Sequence, residues 1–277
     1  MKTKKEISKP QLYRCNSFIG PGCEGNPAGV CLLPAPRDEK LYRDIAVTMG
    51  CSETAFLYNE DGVFQLRWFT RAAREVDLCG HATLAASWVL WEKDFIAGGD
   101  PVNYRTRSGV LTAALKGQDI FMDFPVKPVV PLKVDEYPLA GLLGVKVLFM
   151  GKAWFDLLVE IDNEDDIKQL KPDFKALSAI SIRGIIITAR ARSKEYDFVS
   201  RFFAPSIGID EDPVTGSAHC ALADYWSKKL LKVKMIGYQA SPEGGIVGVQ
   251  YKKDRVTLSG KVRETSLPPG ISLSVLV

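Results

Sequence analysis

Apolar and polar positions alternate along this chain in short runs, which predicts many strands and a few helices rather than one long periodic element. Residues 38–49 carry Leu41, Ile45 and Val47 among Arg, Asp and Lys, the spacing of an amphipathic helix. Residues 63–69 read as a strand. Residues 110–115 and 120–124 read as a hairpin around Lys116, Gly117, Gln118 and Asp119. Residues 81–92 are apolar nearly all round, a composition that belongs to a buried helix at the centre of its domain. Further on, strands are expected at 145–150, 155–161, 184–189, 198–203, 246–252 and 255–258, with helices near 164–180 and at 217–231. The order lacks the regular strand–helix alternation of a doubly wound sheet, so the class is α+β.

A proline-rich stretch, Pro125, Pro128 and Pro131, falls near the midpoint and marks the expected boundary, giving lobes of residues 1–126 and 127–277. The two halves echo each other. Residues 67–92 read RWFTRAAREVDLCGHATLAASWVLWE and residues 201–226 read RFFAPSIGIDEDPVTGSAHCALADYW. In both, an Arg-aromatic-Phe strand end leads through an acidic loop to a glycine that opens an Ala-rich helix. Aligning Gly80 with Gly216 sets His81 on Ser217, and the second loop is two residues longer.

Composition narrows the function. With 277 residues, 46% hydrophobic, 25% charged and a net charge of +3, the chain suits a well-cored soluble protein. It has no electrostatic footprint for nucleic acid. No apolar stretch approaches the roughly 20 residues that cross a bilayer, and the first residues lack the apolar segment of a secretory signal. Six cysteines without a CxxC pair suggest reduced thiols and a cytoplasmic location. With two histidines, neither beside a cysteine pair at ligand spacing, no zinc site is expected.

Four motifs carry candidate chemistry. Gly20, Gly22 and Gly25 satisfy GxGxxG, but a strand rather than a helix follows, so phosphates would find no helix N-terminus and the motif reads as a turn. Cys79-Gly80-His81 places a histidine in the first turn of a helix, where the positive helix end favours its neutral form. Asp212, Pro213, Thr215, Gly216 and Ser217 open a second helix whose free N–H groups suit a carboxylate. A plain helix cap accounts for Asp212 or Thr215 equally well. Glu53 lies between a helix and an apolar strand start, where desolvation would raise its pKa toward the range useful for general acid–base work, unless it is an ordinary surface glutamate.

These residues together resemble the phenazine-biosynthesis-like (PhzF-like) family, similar in fold to diaminopimelate epimerase. The resemblance runs from about residue 12 to the end, through Gly25–Val30, Ser52–Phe56, Cys79–Thr83, Met122–Pro125 and, most specifically, Glu211–His219. It implies two pseudo-symmetric lobes, each a mixed sheet or barrel wrapped around a central helix, with the site between them, and a homodimer. It also implies a cofactor-independent isomerase of small acidic substrates, with no cofactor and no metal. Glu53 would shuttle the proton, His81 and Asp212 would support catalysis, and Gly80, Gly216 and Ser217 would bind substrate. Two departures stand out: Arg71 replaces a usual proline, and Ser241, Pro242 and Glu243 precede Gly244 where basic residues are frequent. A two-base epimerase needs a thiol on each face of its substrate, yet the counterpart of Cys79 is Thr215, which favours one-base chemistry. Epimerisation of amino-acid-like substrates and a non-catalytic, protein-binding role remain the alternatives.

Overall fold

The computed structural model describes residues 5–271. Among the described residues, the first compact unit holds 5–19, Asn26–Asp123 and 259–271. Its elements are β1 (Gln11–Ile19), β2 (Asn26–Leu32), α1 (Glu39–Met49), β3 (Glu53–Glu60), β4 (Val63–Thr70), β5 (Glu75–Val76), α2 (Gly80–Glu92), β6 (Val102–Thr106), β7 (Gly109–Lys116) and β8 (Asp119–Pro125). The second unit holds Gly20–Gly25 and Phe124–Leu258. It contains β9 (Val130–Leu132), α3 (Leu139–Leu143), β10 (Val147–Ala153), β11 (Asp156–Ile161), α4 (Glu164–Gln169), α5 (Phe174–Ser178), β12 (Gly184–Arg190), β13 (Phe198–Phe203), α6 (Gly216–Leu230), β14 (Lys234–Gln239) and β15 (Gly245–Lys252). The last strand, β16 (Arg255–Thr265), gives its first four residues to the second unit and the rest to the first.

The division is therefore not a single cut near residue 126. The change of unit at Asp123/Phe124 lies close to the expected boundary, but β16 carries the chain back, where Arg14–Ile19 of β1 pair with Lys261–Thr265. In the first unit the order β1-β2-β3-β4-β6-β7-β8-β16 closes on itself through that β1–β16 pairing, so eight strands form a barrel.

Both units use the same pairing sequence. In the first, β1–β2 is antiparallel, β2–β3 parallel, β3–β4 antiparallel, β4–β6 parallel and β6–β7 antiparallel. In the second, β10–β11, β11–β12, β12–β13, β13–β14 and β14–β15 repeat that alternation. A parallel pair needs a crossover, and helices supply all four: α1 and α2 in the first unit, α4–α5 and α6 in the second. The repeat extends to side chains. Arg67 clasps Glu75 through Nε and Nη2 at 2.7 and 2.8 Å, and Arg201 clasps Glu211 through the same atoms at 2.7 Å each. The loops differ by the two residues seen in the sequence.

The second helix of each unit is the central one. α2 has no polar face: His81–Ser87 and Val89–Trp91 are all buried, and it packs on β1, β2 and β3. α6 packs on β11, β14 and β15, with Trp226 stacked on Phe198 and donating its indole N–H to Thr188 Oγ1 at 2.9 Å. Helices α4 and α6 both pack on the second unit's sheet, so β11 and β13 are buried along their whole length, and β12 up to Ala189. The helical pattern at 164–180 is not one helix. Pro172 cannot continue it, and Asp173 instead caps α5 by accepting from Ala176 N at 3.0 Å.

One close approach fixes the strand that carries Glu53. In the parallel β2–β3 pair, Gly29 stands opposite Thr54, and a Cβ at Gly29 would fall 2.5 Å from Thr54 Oγ1 and 2.9 Å from its Cγ2. Gly29→Ala is expected to destabilise the protein by about 1–3 kcal/mol, the usual range for overpacking. Urea denaturation measures this, and an unchanged midpoint would contradict it.

Candidate active site

Glu53 is the first residue of β3, and its side chain is 14% exposed. His81 is the second residue of α2 and is buried. The two meet with Glu53 Oε2 3.3 Å from His81 Nε2. Burial lowers the His81 pKa to about 3, so the imidazole is neutral. Desolvation is the cause of that neutrality, beyond the helix end that the sequence points to. Ser52 Oγ donates to Asn26 Oδ1 at 2.9 Å, which turns the Asn26 amide N–H toward His81 Nδ1 at 3.4 Å. Nδ1 is then the acceptor, and Nε2 carries the proton directed at Glu53. Ser17 donates its hydroxyl to the His81 carbonyl at 2.7 Å and ties the helix start to β1. Asn26, Ser52 and Ser17 are thus positioning residues that sequence reasoning missed. Asn26 and Ser52 stood at the polar ends of Gly25–Val30 and Ser52–Phe56, whereas Ser17 lay in no motif.

The second unit presents Asp212, Gly216 and Ser217 around the start of α6. Thr215, its N-cap, donates its hydroxyl to Asp212 Oδ2 at 2.6 Å and makes no capping bond to the helix. The capping reading of Thr215 is therefore excluded. Gln239, fully buried, accepts from Thr215 N at 2.9 Å and donates to the Asp212 carbonyl at 2.6 Å, while Ser241 donates to the Pro213 carbonyl at 2.8 Å. These two side chains hold the Asp212–Thr215 loop. Ser217 Oγ accepts from Arg183 Nη2 at 3.2 Å. Glu243, expected near the site, is exposed in the turn before β15.

The helix starts differ in a telling way. Asp38, Asn163 and Asp173 cap α1, α4 and α5 with their own side chains. The two central helices, opening at Gly80 and Gly216, have no side-chain cap. Their first N–H groups are the donors an anionic substrate or a developing negative charge would use. His219, one turn into α6, is buried with Nδ1 2.9 Å from the Thr215 carbonyl and belongs to the core. Gly20–Gly25 forms a turn, with Gly22 and Gly25 at positive φ, leading straight into β2. Neither of the large cavities within the units, about 830 Å³ beside Trp88 and Lys261 and about 810 Å³ beside Lys168 and Ser241, includes Glu53, His81 or Asp212.

Cys79 stands beside the Glu53–His81 pair. Residues 79 and 81 share a helix turn that meets the start of β3, so ligand atoms of Glu53, Cys79 and His81 lie within 4.8 Å of one another. Cys79 Sγ is 3.5 Å from His81 Nδ1. These three side chains, one carboxylate, one thiol and one imidazole, are of the types that ligate a soft divalent metal. No helix among the described residues is long and apolar enough to cross a membrane.

The buried histidines make stability pH-dependent. Both protonate near 6.5 when unfolded, but His81 only near 3 and His219 near 4 when folded. The unfolded chain then binds more protons, so stability is complete about one unit above pH 6.5 and falls as pH drops. Between pH 7.5 and pH 5 the loss should be about 2 kcal/mol per histidine. Urea titrations at the two pH values test this; a flat profile would contradict it.

The family model described as phenazine biosynthesis-like protein (PhzC-PhzF) matches residues 16–264. The chain belongs to this family. A protein of Halalkalibacterium halodurans named an uncharacterised isomerase is 46% identical, over 90% of this chain and 94% of its own. The crystal structure of a PhzF-family protein from Enterococcus faecalis is 36% identical with a TM-score of 0.84, covering 93% of this chain and 96% of that one. A predicted epimerase from Pseudomonas aeruginosa, 16% identical, shares the fold with a TM-score of 0.75, over 96% of this chain and all of its own. The family stands as the sequence motifs implied, and the α+β fold is one that the predicted epimerase shares.

Proposed function

We propose that this family member is an isomerase that moves a proton on a small carboxylic acid, with Glu53 as general acid and base. The observation that carries the reading is the half-buried Glu53 carboxylate held by a neutral His81 whose protonated Nε2 points at it. A carboxylate so placed is oriented by a donor that does not itself compete for the proton. Glu53 takes a proton from the carbon next to the unsaturated or carbonyl group and returns it to the far end of the shifted bond. The uncapped N–H groups at Gly80 and His81 stabilise the charge that develops between the two steps. Asp212 is proposed to support catalysis, and Gly216 and Ser217 to bind substrate.

A two-base epimerase is the second reading, and one observation weighs against it. Where Cys79 stands in the first unit, the second has Thr215, whose hydroxyl is committed to Asp212. The chemistry proposed uses neither metal nor organic cofactor, and activity is expected to survive exhaustive chelation. Incubating the protein in D₂O with a panel of unsaturated acids and amino acids, followed by NMR, tests the reading. A shifted double bond with deuterium at the new carbon supports it; inversion of a stereocentre without bond migration would favour epimerisation. Failure to exchange or convert any acid that binds would favour the non-catalytic role.

A further inference from the structure

Cys79 takes no part in the proton transfer proposed above, yet its thiol stands among the groups that do. It is the N-cap of α2, in extended backbone, and makes no side-chain capping bond. Its Sγ lies 3.5 Å from His81 Nδ1 and 4.0 Å from Nε2, and Glu53 Oε2 lies 3.3 Å from that same Nε2. One oxygen, one sulfur and one imidazole nitrogen thus fall within 4.8 Å of one another. In tetrahedral zinc, bonds of about 2.0–2.1 Å to N and O and about 2.3 Å to S set the ligands about 3.4 Å apart for an N–O pair and about 3.6 Å for an N–S pair. Both separations from Nε2 lie within about half an ångström of those edges. All three residues belong to the first unit, and Glu53 is the most exposed of them.

The donor set selects the ion. Thiolate and imidazole suit zinc, whereas magnesium and calcium take six or more oxygen ligands and would find a single carboxylate here. Three protein ligands leave the fourth position of a tetrahedral ion to water. Binding through Nε2 moves the imidazole proton from Nε2 to Nδ1, where it needs an acceptor. Asn26 can supply one. Turning its amide over presents Oδ1 to the Nδ1–H and an amide N–H to Ser52 Oγ, in place of the present contacts at 3.4 and 2.9 Å. The thiol proton leaves to solvent as the sulfur binds, so each zinc taken up releases one proton. While zinc holds the Glu53 carboxylate, that group cannot accept a proton from carbon. Metal binding and proton transfer then exclude each other.

We propose that Glu53, Cys79 and His81 form an inhibitory zinc site within the first unit. That zinc inhibits rests on the proposed role of Glu53; that it binds does not. The test is calorimetric titration of the reduced, chelator-treated full chain with zinc chloride, in two buffers of different ionisation enthalpy and against magnesium chloride. A single equivalent of zinc is expected to bind with release of one proton, and magnesium is expected not to bind. Cys79→Ser should weaken zinc by at least about ten-fold, the smallest effect usual even for an outer-shell partner. Glu53→Gln, whose amide is a poorer ligand, should weaken it as well, so the assignment does not hang on the folding of one variant. Wild-type affinity in both variants, or no zinc binding to wild type, would overturn the site. In the deuterium-exchange assay zinc should suppress wild-type turnover, a chelator should restore it, and Cys79→Ser should keep its own turnover at the same zinc concentration. Zinc that binds through Cys79 and leaves wild-type turnover unchanged would keep the metal site but overturn the inhibition, and with it Glu53 as the proton shuttle.

Discussion

Glu53→Gln is expected to lower turnover by roughly two to four orders of magnitude, the usual range for loss of a general base. The amide keeps the shape of the side chain and can still accept the His81 Nε2–H at the 3.3 Å position. It cannot take up a proton from carbon. No packing volume is lost, so the unfolding midpoint should stay close to wild type and substrate affinity should change little. A variant that loses activity and stability together would point to a structural glutamate instead. The pH profile gives an independent view. Because His81 titrates near 3, no limb of the activity profile near pH 6 should belong to it.

The largest expected effect on folding is at Arg201. Its guanidinium is 8% exposed, clasps Glu211 at 13% exposure, and donates from Nη1 to the carbonyls of Ile167 at 3.1 Å and Leu170 at 2.8 Å. Arg201→Met removes the partner of a buried carboxylate and leaves two carbonyls without that donor. A loss of about 3–5 kcal/mol is expected. The equivalent change in the other unit should be milder. Arg67 is 25% exposed, and Glu75 keeps a second partner in Arg107 at 2.7 Å. Chemical denaturation of Arg201→Met and Arg67→Met side by side reads the difference. Equal losses would show that the two clasps are not distinguished by burial.

The sequence made the local elements legible because they have local causes. The all-apolar run before Glu92 could only be a buried helix, and the Arg-aromatic-Phe echo at Arg67 and Arg201 marked a true structural repeat. The motif residues Glu53 and His81 stood out as candidates in the sequence, and the structure brings their side chains together. Long-range pairings left no such trace. β16 extends to Thr265 and pairs with β1 some 250 residues earlier, so a linear boundary could not describe the units. Gln239 and Ser241 hold the Asp212 loop from a strand end about 27 residues away, and neither carries a motif. Arg183, which reaches both Asp156 and Ser217, belongs to none of the sequence motifs, because those partners lie about 27 and 34 residues away. Cys79 joined the Glu53–His81 group for a similar reason: i, i+2 spacing at a helix start is not a recognised ligand pattern.

One comparison bears most directly on the proton shuttle: solvent-deuterium incorporation into a turned-over acid by Glu53→Gln and Cys79→Ser, measured in the same NMR assay. The one-base account predicts that exchange falls at least a hundred-fold in Glu53→Gln and stays within about ten-fold of wild type in Cys79→Ser. Near-wild-type exchange in Glu53→Gln with none in Cys79→Ser would contradict it and place the thiol at the reacting carbon.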